Sequence, residues 1–125
     1  MMIKTLFLTV MLSSLSLSAS YAQENNDKFL LNKESFEVIS KDNKSNVIDV
    51  RTAKEFSEGS IGEAKNIDFL KEDFIDQMKQ FDKQEPIYIF CKSGKRSAKA
   101  KQALVNEGFL QVYELDGGYT KWIEE

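Results

Sequence analysis

One cysteine stands in a stretch of sequence that could make its sulfur reactive. Cys91 is followed within five residues by the cations Lys92, Lys95 and Arg96, and Gly94 between them allows a tight backbone turn. Nearby cations, the positive end of a helix dipole and backbone N–H groups turned toward one point each favour a thiolate over a thiol. The pattern therefore predicts a thiolate nucleophile, although a lone cysteine is more often a small buried hydrophobic residue.

The composition excludes most of the ways in which a protein activates such a nucleophile. Among the 125 residues there is one cysteine and no histidine. An intramolecular disulfide, a Cys-x-x-Cys redox motif, a zinc site built from cysteine and histidine, and a Ser-His or Cys-His catalytic pair are therefore impossible. We expect no metal ion and no cofactor, and Cys91 must be activated by groups other than histidine.

The loop after Cys91 needs a strand before it and a helix after it. Residues 87–90 form an apolar run typical of a buried central strand, and residues 97–107 have a helical pattern that ends at Gly108. Ligands of parallel sheets bind at the carboxyl ends of the strands, where loops lead into helix N-termini. We therefore expect Cys91 at such a strand end, with its loop at the protein surface.

Strands and helices are predicted to alternate along the rest of the chain. Strands are predicted at 47–50, near 64–67 and at 112–115, and helices at 35–39, after a Thr52 cap, at 74–81 and at 119–125. This alternation indicates an α/β fold with a central, mainly parallel sheet and helices on both faces. One domain accounts for the pattern, since no repeat or second domain is visible in it.

The first 22 residues have the features of a signal peptide. Lys4 supplies a positive start, residues 5–17 are apolar and uncharged, and Ser20 and Ala22 are small residues at the positions that a signal peptidase reads. The alternatives are a transmembrane anchor or a buried helix, but the apolar run is short and rich in serine. We expect cleavage after Ala22 and a periplasmic or secreted product.

The chain is predicted to consist of three parts, and removal of the first part leaves a slightly more acidic mature chain. Residues 1–22 are the predicted signal peptide, residues 23–32 a polar leader and residues 33–125 the domain. The whole chain carries 17 basic and 20 acidic side chains, a net charge of −3, and the removed segment takes one lysine with it. This acidic balance argues against a nucleic-acid partner. Because no second hydrophobic stretch follows the first, we expect no membrane insertion of the mature chain.

Five short motifs stand in order along residues 36–122. They are Asp-Val-Arg at 49–51, Glu-Phe at 55–56, Gly-Ser-Ile-Gly-Glu-Ala-Lys-Asn-Ile at 59–67, Cys-Lys-Ser-Gly-Lys-Arg-Ser at 91–97, and Leu-Asp-Gly-Gly at 115–118 followed by Trp122. Each motif alone is a weak signal, but in this order and at these separations they resemble the single-domain rhodanese-like sulfurtransferases. The sequence departs from the family pattern at Ser60, where histidine is usual, and at Glu63, which adds a charge before Ala64.

The resemblance implies a rhodanese-like fold and a sulfur-transfer reaction at Cys91. In that reaction Cys91 would take a sulfur from a small anionic donor such as thiosulfate, carry it as a persulfide and pass it to a thiophilic acceptor. The implied substrate-binding residues of the loop are Lys92, Ser93, Gly94, Lys95, Arg96 and Ser97. Their charges would attract the donor and their amides would stabilise the outer sulfur. Arg51 is a further candidate for substrate binding, with an ion pair to Asp49 as its alternative role.

Two other functions remain open for this sequence: a non-catalytic binding module on the rhodanese fold, and a phosphatase or arsenate reductase on the related fold. The related phosphatases place five residues between cysteine and arginine, whereas residues 92–95 are the only ones between Cys91 and Arg96. A shorter loop draws its amides inward and suits a single sulfur atom better than a phosphoryl group. Such phosphatases also need an acid for the leaving group, and the chain offers no histidine.

Overall fold

The computed structural model describes residues 27–124, and within them five strands and five helices alternate. The strands are β1 (Leu30–Leu31), β2 (Asn46–Asp49), β3 (Lys65–Asn66), β4 (Ile87–Phe90) and β5 (Val112–Leu115). The helices are α1 (Lys33–Ser40), α2 (Ala53–Ser57), α3 (Phe74–Met78), α4 (Lys95–Asn106) and α5 (Gly118–Ile123). The predicted signal peptide, residues 1–22, and the first part of the predicted leader lie outside the described residues.

The five strands form one sheet in the order β1-β5-β4-β2-β3, and every neighbouring pair in it is parallel. β4 lies at the centre, with Tyr88 opposite Val47 of β2 on one side and Tyr113 of β5 on the other. A strand with a neighbour on each side and a helical layer over each face is expected to be a continuous apolar run, as residues 87–90 are. The predicted α/β fold with a parallel sheet is confirmed.

Helices pack on both faces of the sheet and bury two apolar clusters. On one face α3 and α4 bring Met78 and Leu104 against Ile89 of β4. On the other face α1 and α5 contribute Phe36 and Trp122, whose rings meet edge to face with 6.3 Å between their centroids. Because Ile89 is fully buried between these layers, the strand that leads to Cys91 is held from both sides.

The edge strand β1 lies within residues 23–32, the predicted leader, whose boundary with the domain stays a prediction. Leu30 and Leu31 pair with Glu114 and Leu115 of β5, and the Leu31 carbonyl accepts a hydrogen bond of 2.8 Å from the Asp116 amide. The sequence pattern had indicated a polar leader at these two leucines. A strand of two residues has no periodicity to detect, because it is formed by pairing with residues more than eighty positions away.

The helices follow the predicted order with different limits. α4 begins at Lys95, two residues before its predicted start, because Gly94 takes the left-handed conformation, with φ +105°, that turns the chain into the helix. α3 ends at Met78, and Phe81 packs against the core from the turn after it. Among the described residues, no helix is both long and apolar enough to cross a membrane.

Candidate active site

Cys91 lies at the carboxyl end of the central strand, where the parallel sheet leads into α4. Its side chain is buried, with 1% of the residue exposed, and it joins the apolar cluster beneath α4. Lys92, Ser93 and Lys95 of the adjoining loop are exposed. The predicted position at the protein surface is therefore confirmed for the loop, whereas Cys91 itself is buried.

Hydrogen bonds from the loop surround the Cys91 sulfur. The Gly94 amide donates to Sγ over 3.1 Å, and the Ser97 hydroxyl oxygen lies 3.6 Å from Sγ. Ser97 is fully buried; its hydroxyl oxygen accepts from the Cys91 thiol, and its hydrogen is donated to the Gly94 carbonyl over 3.1 Å. α4 begins in this loop, so Ser97 in the first turn of the helix and Gly94 just before it both lie next to the Cys91 sulfur.

The pKa of the Cys91 thiol lies below its usual range. Burial by itself raises that pKa, but it is outweighed by hydrogen bonds from the Ser97 hydroxyl and from the amides of Ser97, Gly94 and Ser93. The predicted lowering is therefore confirmed, with a different cause. The sequence pattern attributed it to the loop cations and the helix dipole, whereas the groups that touch the sulfur are neutral donors.

Arg96 holds the loop against α2. Its guanidinium donates to both carboxylate oxygens of Glu55, over 2.7 Å and 3.0 Å. Glu55 also closes a capping box with Thr52 at the start of α2. The hydrogen bond from Arg96 is the main cause that lowers the pKa of Glu55 to about 2, and the pKa of Arg96 is raised in return. In the structure Arg96 therefore forms a bidentate ion pair that positions the loop, and its substrate-binding role stays a prediction.

Arg51 belongs to the support of the strand ends. Its guanidinium is 2.7 Å from the Asp49 carboxylate and donates to the Gly59 carbonyl over 2.6 Å. It also lies over the Tyr119 ring, 4.2 Å from the centroid. The side chain is buried in the ion pair with Asp49 that was its alternative role, and the substrate-binding role of Arg51 stays a prediction. Ser60 donates to the same carboxylate over 2.9 Å, at the position where the family usually has histidine.

The start of α5 supports the loop from below. The amides of Tyr119 and Thr120 donate to the carbonyls of Cys91 and Lys92 over 2.8 Å and 2.9 Å. Gly118 makes this approach possible, since a Cβ there would lie 2.6 Å from the Lys92 carbonyl oxygen. Sequence reasoning missed this role, although it singled out residues 115–118 as part of a motif. The signal was the pair of adjacent glycines directly before a helix.

Lys92 and Lys95 are the cations that the loop leaves exposed. Within residues 27–124 neither makes a salt bridge, in contrast to Arg96. Sequence reasoning also missed Glu55 as a site residue, because its partner is 41 positions away along the chain. The arrangement as a whole offers a hydrogen-bonded sulfur of lowered pKa next to a loop that carries two exposed lysines.

The fold and this loop define a family. A family profile described as a rhodanese-like domain matches residues 32–125. The chain belongs to the rhodanese-like family.

Proteins with a stated activity are among its relatives. Thiosulfate sulfurtransferase GlpE of Shewanella oneidensis is 35% identical over 78 residues, which cover 62% of this chain and 75% of that protein. The chloroplastic thiosulfate sulfurtransferase 16 of Arabidopsis thaliana is 35% identical over 85 residues, which cover 60% and 71%. A crystal structure of a rhodanese-like domain protein from Staphylococcus aureus superposes with a TM-score of 0.66 at 29% identity, over 76% of this chain and 91% of that one. These similarities support a sulfurtransferase at the level of the family.

Proposed function

We propose that the protein is a sulfurtransferase that moves a sulfane sulfur from a small anionic donor such as thiosulfate to a thiophilic acceptor through a persulfide on Cys91. The observation that carries the proposal is the environment of the Cys91 sulfur at the end of β4, where the Gly94 amide donates to it over 3.1 Å and the Ser97 hydroxyl oxygen lies 3.6 Å from it. Donors placed in advance around a sulfur stabilise negative charge on it without rearrangement during the reaction. The relatives named as thiosulfate sulfurtransferases add support at the family level.

Each half of the proposed reaction is a displacement at a sulfur atom. The Cys91 thiolate attacks the outer sulfur of thiosulfate, the S–S bond of the donor breaks, and sulfite leaves with the bonding electron pair. An acceptor such as cyanide then attacks the outer sulfur of the persulfide. The S–S bond of the persulfide breaks, thiocyanate forms as the product, and the Cys91 thiolate is regenerated with the bonding electron pair. No external oxidant or reductant is needed, because the sulfur keeps its oxidation level as it moves from donor to acceptor.

The exposed cations of the loop suit an anionic donor. Lys92 and Lys95 are the loop cations without an ion pair among the described residues, so their charge is available to a substrate above Cys91. The charge of Arg96 is neutralised by Glu55. Positive charge at the mouth of a buried site attracts anions and raises their local concentration.

The shape of the loop favours sulfur over a larger oxyanion. The Gly94 amide donates its hydrogen bond to the Cys91 sulfur itself, over 3.1 Å. A loop built for a phosphoryl group would turn its amides toward three oxygens located beyond the sulfur. Four residues between Cys91 and Arg96 therefore support persulfide chemistry and argue against the phosphatase alternative.

A direct comparison of activities tests this proposal. The full chain and its Cys91→Ala variant would be assayed for thiosulfate:cyanide sulfurtransfer and for hydrolysis of an aryl phosphate, with circular dichroism to verify that both are folded. We expect sulfurtransfer by the unmodified protein alone and no phosphate hydrolysis by either. Phosphate hydrolysis that depends on Cys91 would replace the proposal with the phosphatase alternative, and inactivity in both assays would favour the non-catalytic binding module.

We also propose that the chain is exported to the periplasm or the medium and acts there without its first 22 residues. The support is the positive start, apolar run and small-residue site in that segment. N-terminal sequencing of the chain from an exported fraction should give Gln23 as the first residue. A chain that retains Met1 would contradict export with cleavage, whatever its activity.

A further inference from the structure

Tyr119 contacts the site through its backbone and through its ring, and the proposed sulfur-transfer steps use neither contact. Its amide donates to the Cys91 carbonyl over 2.8 Å. Its ring lies under the Arg51 guanidinium, with 4.2 Å between the guanidinium carbon and the ring centroid. One residue at the start of α5 therefore joins the backbone of the nucleophile to a buried cation.

The Arg51 guanidinium is itself held in one place. Its Nε donates to Asp49 over 2.9 Å, and its Nη2 donates to Asp49 over 2.7 Å and to the Gly59 carbonyl over 2.6 Å. Asp49 is fully buried and also accepts from Ser60 over 2.9 Å. A cation close to the face of an aromatic ring attracts that ring, most strongly where water is excluded. The Tyr119 ring is therefore held at a position that the end of β2 determines.

Cys91 is held from the face of the sheet opposite to the one that its side chain joins. Its side chain belongs to the apolar cluster beneath α4, whereas Phe90 and Tyr119 belong to the cluster on the face of α1 and α5. The Phe90 ring lies 5.7 Å from the Arg51 guanidinium carbon and 6.4 Å from the Tyr119 ring. The sulfur accepts from the Gly94 amide over 3.1 Å, and such a bond weakens steeply when its atoms are misaligned. The position of the Cys91 backbone therefore affects how well the sulfur meets its donor.

We propose that Tyr119 is a positioning residue for Cys91: its ring, held by Arg51, places the amide that fixes the Cys91 carbonyl and so aligns the sulfur with the Gly94 amide. The role belongs to the face of the ring and not to its hydroxyl. The inference rests on the proposed function, in which the Cys91 thiolate is the nucleophile. Without the ring, the start of α5 can shift, the hydrogen bonds that favour the thiolate weaken, and the pKa of the Cys91 thiol rises.

The test is the rate of alkylation of Cys91 by iodoacetamide as a function of pH, in the reduced full chain, which yields the pKa of the thiol. We expect Tyr119→Leu to raise that pKa by about one unit and to slow alkylation about tenfold below it, and Tyr119→Phe to change neither. The control Tyr113→Leu removes a half-buried ring that stacks on Tyr88, 5.2 Å between centroids, and should keep the rate of the unmodified protein. A fully reactive Tyr119→Leu variant overturns the proposal, and so does a Tyr119→Phe variant as slow as Tyr119→Leu.

A series of fluorinated phenylalanines at position 119 decides the question even if Tyr119→Leu does not fold. Each added fluorine withdraws electrons from the face of the ring and weakens its attraction for the Arg51 guanidinium, while the ring keeps nearly the same shape. We expect the alkylation rate of Cys91 to fall with each fluorine, and a constant rate across the series overturns the proposal. No sulfur donor is present in these experiments, so their outcome is independent of whether thiosulfate loads Cys91. In the sulfurtransfer assay Tyr119→Leu should lower kcat and keep KM for thiosulfate, whereas a raised KM with unchanged alkylation would assign the ring to substrate binding and overturn the positioning role.

Discussion

At Cys91 two effects of the fold act on the thiol in opposite directions. Burial in the cluster beneath α4 disfavours the charged form, and the hydrogen bonds from Ser97 and the loop amides favour it and prevail. A sulfur that is both buried and stabilised as an anion is protected from solvent while it keeps its nucleophilic form. The chemistry of the site therefore depends on a few neutral donors more than on the cations that are prominent in the sequence.

The first prediction concerns the Ser97 hydroxyl. Ser97→Ala removes the hydroxyl that can turn its hydrogen from the Gly94 carbonyl to the thiolate, and such a bond to a charged group contributes about 1.5–3 kcal/mol, or about one to two pKa units. The pKa of Cys91, followed by the ultraviolet absorbance of the thiolate, should rise by that amount. Ser93→Ala is the matched control, because it deletes an exposed hydroxyl and keeps the amide that contacts the sulfur. Equal pKa values in the two variants would show that the hydroxyl has no such effect.

The second prediction concerns the two exposed lysines of the loop. The double variant Lys92→Gln with Lys95→Gln should raise the apparent KM for thiosulfate about tenfold, with kcat nearly unchanged, because it removes attraction for the anion and leaves the sulfur donors in place. Steady-state kinetics at low ionic strength measure this. Lys99→Gln, an exposed lysine farther along α4, is the control and should leave KM as it was. A fall in kcat at constant KM would assign the lysines to the transfer step instead.

At the scale of the elements, the loop is held by the helices that come after β2 and β5. The start of α2 holds Arg96 through Glu55, and the start of α5 holds the carbonyls of Cys91 and Lys92 through its amides. Parallel strands deliver all these segments to the same edge of the sheet. The reactive loop is therefore a junction of elements distant in sequence, and its geometry depends on contacts that are far from the sulfur.

The third prediction concerns the ion pair between α2 and the loop. The pKa of Glu55 is lowered from 4.5 to about 2, chiefly by the hydrogen bond from Arg96. A carboxyl whose folded-state pKa is depressed stabilises the fold above its unfolded value, so this contribution is complete above pH 4.5 and is lost as pH falls through about 2. Since the pair is partly exposed, we expect it to amount to about 1–2 kcal/mol.

Denaturant unfolding at a series of pH values checks this contribution. The free energy of unfolding should fall between pH 4.5 and 2 in the unmodified protein, and less steeply in Glu55→Gln. Glu58→Gln, an exposed acid directly after α2, is the control and should keep the full dependence. Identical slopes in the unmodified protein and Glu55→Gln would contradict the role given to the ion pair.

The fourth prediction concerns the glycine beneath the loop. In Gly118→Ala the new Cβ would lie 2.6 Å from the Lys92 carbonyl oxygen and 2.7 Å from that of Cys91, at a φ of +62°. We expect a loss of about 2–4 kcal/mol in the free energy of unfolding, together with a loss of sulfurtransfer, because α5 must move away from the loop. Gly108→Ala separates the strain of a positive φ from the close approach of the new Cβ to the loop. It also has a positive φ, +97°, but its nearest neighbour would be 3.8 Å away, so it should cost only about 1 kcal/mol and spare activity. Equal losses would show that the close approach does not matter.

At the scale of the whole molecule, the order of the elements was predictable because each longer strand and helix has a local pattern. The β-branched run at 47–50, the apolar run at 87–90 and the helical spacing at 97–107 all fall in or near the elements that the structure contains. β1 was not predictable, since two leucines become a strand only by pairing with β5. The alternation of the longer elements was enough to predict a parallel sheet covered on both faces.

The candidate site was predictable to a smaller extent. The position of Cys91 at a strand end can be inferred from the strand before it and the helix after it. The ion pair of Arg51 with Asp49 was one of the two roles considered from the sequence. The burial of the Cys91 sulfur and the partner of Arg96 cannot be inferred, because charge and spacing along the chain do not say that Arg96 is already neutralised. Sequence reasoning counted Arg51 and Arg96 together with Lys92 and Lys95 as substrate-binding cations; among the described residues the two arginines form ion pairs and the two lysines form none.

The central claim is that Cys91 carries the transferred sulfur, and the intact mass of the protein tests it. The reduced chain would be incubated with thiosulfate, freed of small molecules and weighed by mass spectrometry, with Cys91→Ala treated in parallel. We expect a gain of one sulfur atom in the unmodified protein only, and its loss on addition of cyanide with an equivalent of thiocyanate formed. An unchanged mass in a folded protein whose thiol still reacts with iodoacetamide would show that Cys91 does not carry the sulfur.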